Sequence, residues 1–344
     1  MRVYVDDLTL KARPLTSPSR GPEWSRKLSA YKQADTRRSL LELIVTAGAL
    51  LAIWAVAWTA LAYGAWGAAL VLTVPAAAFL VRMFMIQHDC GHGSYFPSKA
   101  ANEWTGRIIG VLTLTPYDYW RRTHAVHHAT SGDLDRRGLG AVETLTVEEY
   151  RALPRLKRLG YRLYRHPLVM FGLGPAYLFF LQQRLPVGLM RDRSAWISTL
   201  TNSAAVLLMF AAVWQLVGPA AVLLVMVPTL VLAGTIGIWL FYVQHQFDGV
   251  AWTRSEGWKL QDSALHASSY YDLPTPLRWM TANIGVHHVH HLSSRIPFYR
   301  LWDVMRDHPE LAQVSRLTLP QSLRCARLAL WDESERRLVS FRNA

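Results

Sequence analysis

Two long stretches of the chain, residues 43–81 and residues 194–247, carry no charged side chain. A helix needs about 20 apolar residues to cross the hydrocarbon core of a bilayer, so each stretch is long enough to cross twice. Gly64-Ala65-Trp66-Gly67 in the first and Gly218-Pro219 in the second mark the turns. The pattern predicts four spans, at about 43–63, 66–86, 196–216 and 220–243. A further apolar segment, 166–183, is short and interrupted by Gly172, Gly174 and Pro175. It is expected to lie in the interface or to dip into the membrane and return. The expected fold class is an all-α integral membrane protein of four transmembrane helices with a cytoplasmic helical cap.

Charge sets the orientation. The formal net charge of +13 is concentrated, with nine Lys/Arg in residues 1–40, fifteen in residues 97–193 and none in the short turns between paired spans. This is the positive-inside pattern, which puts both termini and the central segment in the cytoplasm. The reading divides the chain into a cytoplasmic N-terminal segment 1–40, a membrane domain 41–303 and a cytoplasmic C-terminal segment 304–344. Nucleic acid is not an expected partner, because no zinc-finger or RNA-binding signature accompanies the charge. Cys90 and Cys325 form neither a disulfide framework nor a CxxC site. The first forty residues are polar and basic, without the apolar core of a cleaved signal peptide.

Most of the thirteen histidines fall in three clusters: His88-Asp89-Cys90-Gly91-His92, His124-Ala125-Val126-His127-His128 and His287-His288-Val289-His290-His291. Positions i, i+3 and i+4 share a helix face, so these spacings present several imidazoles to one side, as a metal ion requires. Rings packed this closely would repel one another if protonated, which implies neutral imidazoles sharing a cation. Clusters one and two follow the second span with no crossing between them. Spans three and four go out and return, and His245 lies just beyond the fourth, so it and cluster three come back to the same face. Nine side chains are therefore candidate ligands at one site: His88, His92, His124, His127, His128, His245, His287, His290 and His291. His288 is left out, since on a helix it lies about 100° from His287 and about 160° from His290. Asp89 and Asn283 are candidates for orienting a ligand or a metal-bound water, Asn283 because it lies four residues before His287 on the same expected helical face. His166, His266 and His308 have no clustered partner and are read as structural or surface residues.

Nine imidazoles exceed the shell of one ion, so two ions with four or five ligands each is the natural partition. Affinity alone does not select iron over zinc. None of the clusters contains the Glu-x-x-His of soluble di-iron bundles. Neutral ligands leave the metal charge uncompensated, which favours an oxidising centre.

HDCGH, HAVHH and HHVHH, with QHQF after the last span and HHLSSRIPFY trailing the third cluster, resemble the membrane fatty acid desaturases. The likeness runs from about residue 40 to 303 and is greatest to the bacterial and cyanobacterial acyl-lipid type, of the Δ12 or ω-6 branch. The resemblance implies a desaturase domain over 41–303 holding two iron ions on the nine histidines named above. Dioxygen would be the co-substrate, a cis double bond in a fatty acyl chain the product, and no catalytic residue is implied beyond the metal ligands. The HPGG motif of fused cytochrome b5 domains is absent, so electrons are expected from a separate donor such as a ferredoxin. The expected location is a bacterial inner membrane, with lipids as neighbours and the site on the cytoplasmic side. A related alkane or carotenoid hydroxylase would use the same clusters, but QHQF and HHLSSRIPFY favour desaturation. A non-catalytic metal-binding or transport protein would need ligands within its spans, where these are nearly lacking. The fourteen Trp and fourteen Tyr suit interfacial belts better than a tunnel lining.

Overall fold

The computed structural model of the protein describes residues 21–343, so the expected N-terminal segment 1–40 lies outside the described residues as far as residue 20. Among the described residues, four helices are long and apolar enough to cross a membrane: Thr36–Ala62, Trp66–His92, Arg193–Leu216 and Ala221–His245. Gly64 (φ 75°) and Gly218 (φ 111°) turn the chain between paired spans in the left-handed region that glycine alone enters freely. Asp35 and Asp192 start the first and third spans, their carboxylates accepting from Arg38 N and from Ser194 N and Ala195 N.

The helices overrun the apolar runs. The first begins at Thr36, before the expected residue 43, because Glu42 is buried within it and paired with Arg38 at 2.7 Å and with Arg82 of the second span. The second span does not stop before the first histidine cluster. It continues to His92 and ends only where Gly93 adopts a left-handed conformation (φ 65°). Its 27 residues rise about 40 Å at 1.5 Å each, longer than the apolar core of about 30 Å, so the last turns stand clear of the hydrocarbon. His245 is likewise the last helical residue of the fourth span.

Residues 169–184 form a short, partly π-helical segment. Arg165, just before it, donates to Tyr242 and Gln246 at the end of the fourth span. The segment then runs along that span, Phe171 against Trp239 and Tyr242, and Phe179 over Gly234. A methyl at Gly234 would lie 2.9 Å from the Phe179 ring, so the small residue lets the segment seat. Arg184 donates to Asn202 and Ser203 of the third span, and the chain returns to the cap at Arg193. The segment thus enters and leaves on the side of the histidines.

The cap is built from the helices Lys99–Leu112 and Tyr117–Thr130 and from the region after the fourth span. There the chain turns through Ala282 (φ 51°) and Asn283 (φ 55°) before the short helix His287–Leu292. Gln244 donates to Ile284 O, and Tyr271 N donates to Gly285 O. A methyl at Gly285 would lie 2.5 Å from Tyr271 O, which explains glycine at that approach. Residues after 303 are woven into the same cap: Arg316–Thr318 pairs in parallel with Tyr270–Asp272, and Trp331 N donates to Leu145 O.

Candidate metal centre

Each histidine cluster sits where a helix delivers it. His88 and His92 occupy the last turns of the second span, His124, His127 and His128 the cap helix Tyr117–Thr130, and His287, His290 and His291 the helix His287–Leu292. With His245 at the end of the fourth span, all nine candidate ligands converge, in two sets. The first comprises His88, His92, His124, His128 and His290; the second comprises His127, His245, His287 and His291. The third cluster is split, His290 facing one set while His287 and His291 face the other.

All the close approaches are between Nε2 atoms. In the first set His124 lies 3.0 Å from His88 and 3.1 Å from His92 and His128, and His128 lies 3.1 Å from His290. In the second, His245 lies 3.1 Å from His127 and 3.0 Å from His287, which is 3.1 Å from His291. A ring nitrogen carries at most one proton, so His124 Nε2 cannot satisfy three nitrogen neighbours by hydrogen bonding. A shared cation can. Nitrogens this far apart, each about 2.1 Å from a common ion, would subtend about 90° at it, the angle between neighbouring ligands of a five- or six-coordinate centre. The residues present therefore fit a metal ion in each set.

Electrostatics point the same way. Burial pushes the cap imidazoles His124, His127, His128, His287, His290 and His291 well below the usual histidine range, and their mutual repulsion pushes them further. They are neutral at physiological pH, as metal coordination requires. Two rings are fixed from behind. His245 Nδ1 lies 3.1 Å from the Ala267 carbonyl, and His88 Nδ1 lies 3.3 Å from Asp89 Oδ1. Such contacts hold the proton on Nδ1 and leave Nε2 free. Asp89 also ties the site to the distal chain, its Oδ2 accepting from Phe298 N at 2.6 Å.

Asn283 does not share the face expected of it. The helix of the third cluster begins only at His287, the left-handed turn at Ala282 and Asn283 breaks any continuous face, and the Asn283 amide donates to Phe298 O. His288 belongs to neither set, and its Nε2 lies 3.1 Å from the Leu311 carbonyl. His308 packs edge-on against Trp24 and Tyr31, and His166 Nδ1 accepts from Leu168 N. One contributor was passed over in the sequence reading. Trp120 stacks on His124 at 4.6 Å with 14° between the planes, while Phe84 meets its ring edge-on. Its position one helical turn before His124 was the available signal.

Four apolar helices ending in two buried histidine sets that could each hold a metal ion suit a membrane oxidoreductase. The fatty acid desaturase family model matches residues 64–321, and the chain belongs to that family. It is 42% identical over 318 residues to a fatty acid desaturase of Bacillus subtilis, covering 92% of this chain and 90% of that one. Similarity extends to two Synechocystis proteins. One is an sn-1 oleoyl-lipid 12-desaturase, 26% identical over 75% of this chain and 72% of its own length. The other is an sn-1 acyl-lipid omega-3 desaturase (ferredoxin), 28% identical over 64% of this chain and 61% of its own.

Proposed function

We propose that this fatty acid desaturase holds two iron ions, one in each histidine set, and introduces a cis double bond into the acyl chain of a membrane lipid. Iron held there, with dioxygen as the acceptor, supplies the oxidising power to remove hydrogen from unactivated methylenes. Dioxygen is reduced to water by electrons drawn half from the acyl chain and half from a separate donor of the ferredoxin class. The observation that carries the reading is the convergence of nine imidazoles into two sets whose nitrogen spacing suits coordination. The names of the two Synechocystis relatives, which specify acyl-lipid substrates and in one case ferredoxin, support the substrate class and the donor.

In this reading the protein's work is to hold and to exclude. Asp89 and the Ala267 carbonyl keep His88 and His245 aimed. Trp120, stacked on His124, and Phe241, 5.1 Å from His127 and 5.3 Å from His245, wall the rings against water, which an oxidising centre needs if it is to spend itself on the substrate. The site faces the cytoplasm, because the fifteen Lys/Arg of residues 97–193 lie between spans two and three on the histidine side.

The test is expression in a bacterium without desaturases of its own, beside His124→Ala and His287→Ala variants, followed by location of double bonds in the extracted fatty acids. New unsaturation is expected with the unaltered protein alone. A saturated profile from folded, iron-loaded protein supplied with reduced ferredoxin would overturn the proposal.

A further inference from the structure

The helix Arg155–Tyr164 (RLKRLGYRLY) presents two unlike faces. Inward, Tyr161 is buried, donates to Ala329 O, accepts from Leu145 N and packs against Tyr150 and Phe341. Outward, Leu156, Leu159 and Leu163 are 79%, 53% and 54% exposed. At 100° per residue the three leucines fall within an arc of about 60°, whose centre is about 170° from Tyr161. Such side chains are stabilised by leaving water, so the stripe is unsatisfied by the fold itself.

The charge around it is of one sign. No Asp or Glu occurs between Glu149 and Asp192, while eight Lys/Arg do. Arg158 and Arg162 are tied back to Leu153 O and Tyr150 OH. Arg151, Arg155 and Lys157 are exposed and have no carboxylate partner among the described residues. The next residue after the helix, Arg165, is bonded to Tyr242 and Gln246 where the fourth span ends, so the helix lies at the level where that span leaves the apolar layer. Exposed apolar residues then continue along the chain as Leu168, Leu173, Tyr177 and Leu181, into the segment that runs beside the fourth span.

We propose that the helix Arg155–Tyr164 is a surface anchor, its leucine face inserted into the headgroup layer on the histidine side and its free cations bound to anionic lipid. Exposed leucines with basic flanks are the signature of a helix lying in that layer, where each cation is drawn to an anionic surface. A soluble partner fits less well, since the apolar residues run on into a segment that lies beside a membrane span, where only lipid reaches. The inference stands apart from the chemistry proposed above and is tested without it.

The full chain is placed in lipid nanodiscs of phosphatidylcholine alone or mixed with phosphatidylglycerol. Leu159→Cys carries a bimane label. Cys90 and Cys325 are both buried, and the unsubstituted protein gives the labelling background. Ser334→Cys, in the hairpin behind the helix, is the water-exposed control. The label at 159 is expected to be quenched by lipid spin-labelled near its headgroup and shielded from iodide. Lipid quenching should be at least twofold greater with phosphatidylglycerol, and Arg155→Gln with Lys157→Gln should remove that difference. Iodide access at 159 matching that at 334, with no lipid quenching, would overturn the anchor, and so would protection that appears only when an acidic protein or a second copy of the chain is added. Equal quenching in the two lipid mixtures would overturn the role of anionic lipid.

Discussion

The rings of His128 and His291 stack with centroids 4.1 Å apart and planes 12° from parallel, although they belong to different nitrogen sets. A shift of either ring is therefore felt in both. His92, by contrast, makes ring contacts among the described residues only with His88, His124, His128 and His290, all of its own set. Purified protein is expected to hold about two irons, since nine ligands exceed a single shell. His92→Ala should keep the iron of the other set, about one per chain, whereas His291→Ala should fall below that, with unsaturation lost in both. Elemental analysis beside fatty acid profiles makes the comparison, and equal iron in the two variants would show that the stack transmits nothing.

Asp89 uses both oxygens as acceptors, one toward His88 Nδ1 and one from Phe298 N. Asparagine keeps the shape but offers a single acceptor oxygen, so one of those donors would face an amide N–H. Asp89→Asn is expected to weaken iron binding about 10- to 100-fold, as loss of a ligand-orienting contact does elsewhere. Competition with a chelator measures it, and unchanged resistance would remove Asp89 from the site.

His288 is the one histidine of its cluster turned away from both sets, toward Leu311 O. His288→Ala should retain iron and double-bond formation while losing about 0.5–1.5 kcal/mol of stability, because Leu311 O gives up one of its two donors and keeps only Val314 N. Thermal unfolding of detergent-solubilised protein, beside its iron content, separates this from a ligand role. Loss of iron with unchanged thermal stability would contradict it.

Reporter fusions after Leu139 and at the C-terminus should both give a cytoplasmic signal, and a fusion within the turn at Gly218 the opposite one. The expectation follows from the even number of spans between the first two points and the positive charge on the histidine side. Opposite signals at Leu139 and the C-terminus would mean that residues 169–184 cross the membrane.

The spans and their turns were legible because uncharged runs of this length have few other uses in a folded protein. Their ends were not. Hydropathy treats Glu42 as a stop, yet it is buried and paired with Arg82, so the first helix begins before it. The gathering of the histidine rings was legible because helical spacing puts them on a face. The division of His290 from His287 and His291 was not, since periodicity says which rings share a side and nothing of what stands opposite. Asn283 was misjudged for a related reason. A left-handed pair at Ala282 and Asn283, neither of them glycine, leaves no mark in composition, and a face extrapolated across it loses its register.

Four of the five nitrogens of the first set come from residues that precede the third span, whereas the second set draws only His127 from that part of the chain. During synthesis, then, four of the five rings proposed to hold one ion have been made before the second hairpin begins. The other pocket waits for the second hairpin and for residue 291 to leave the ribosome. Because metal binding stabilises whatever it closes around, the first ion can lock the early half while the late half is still being made. Maturation acquires a direction, and a protein truncated before its third cluster would be expected to leave the ribosome carrying one metal ion and no activity.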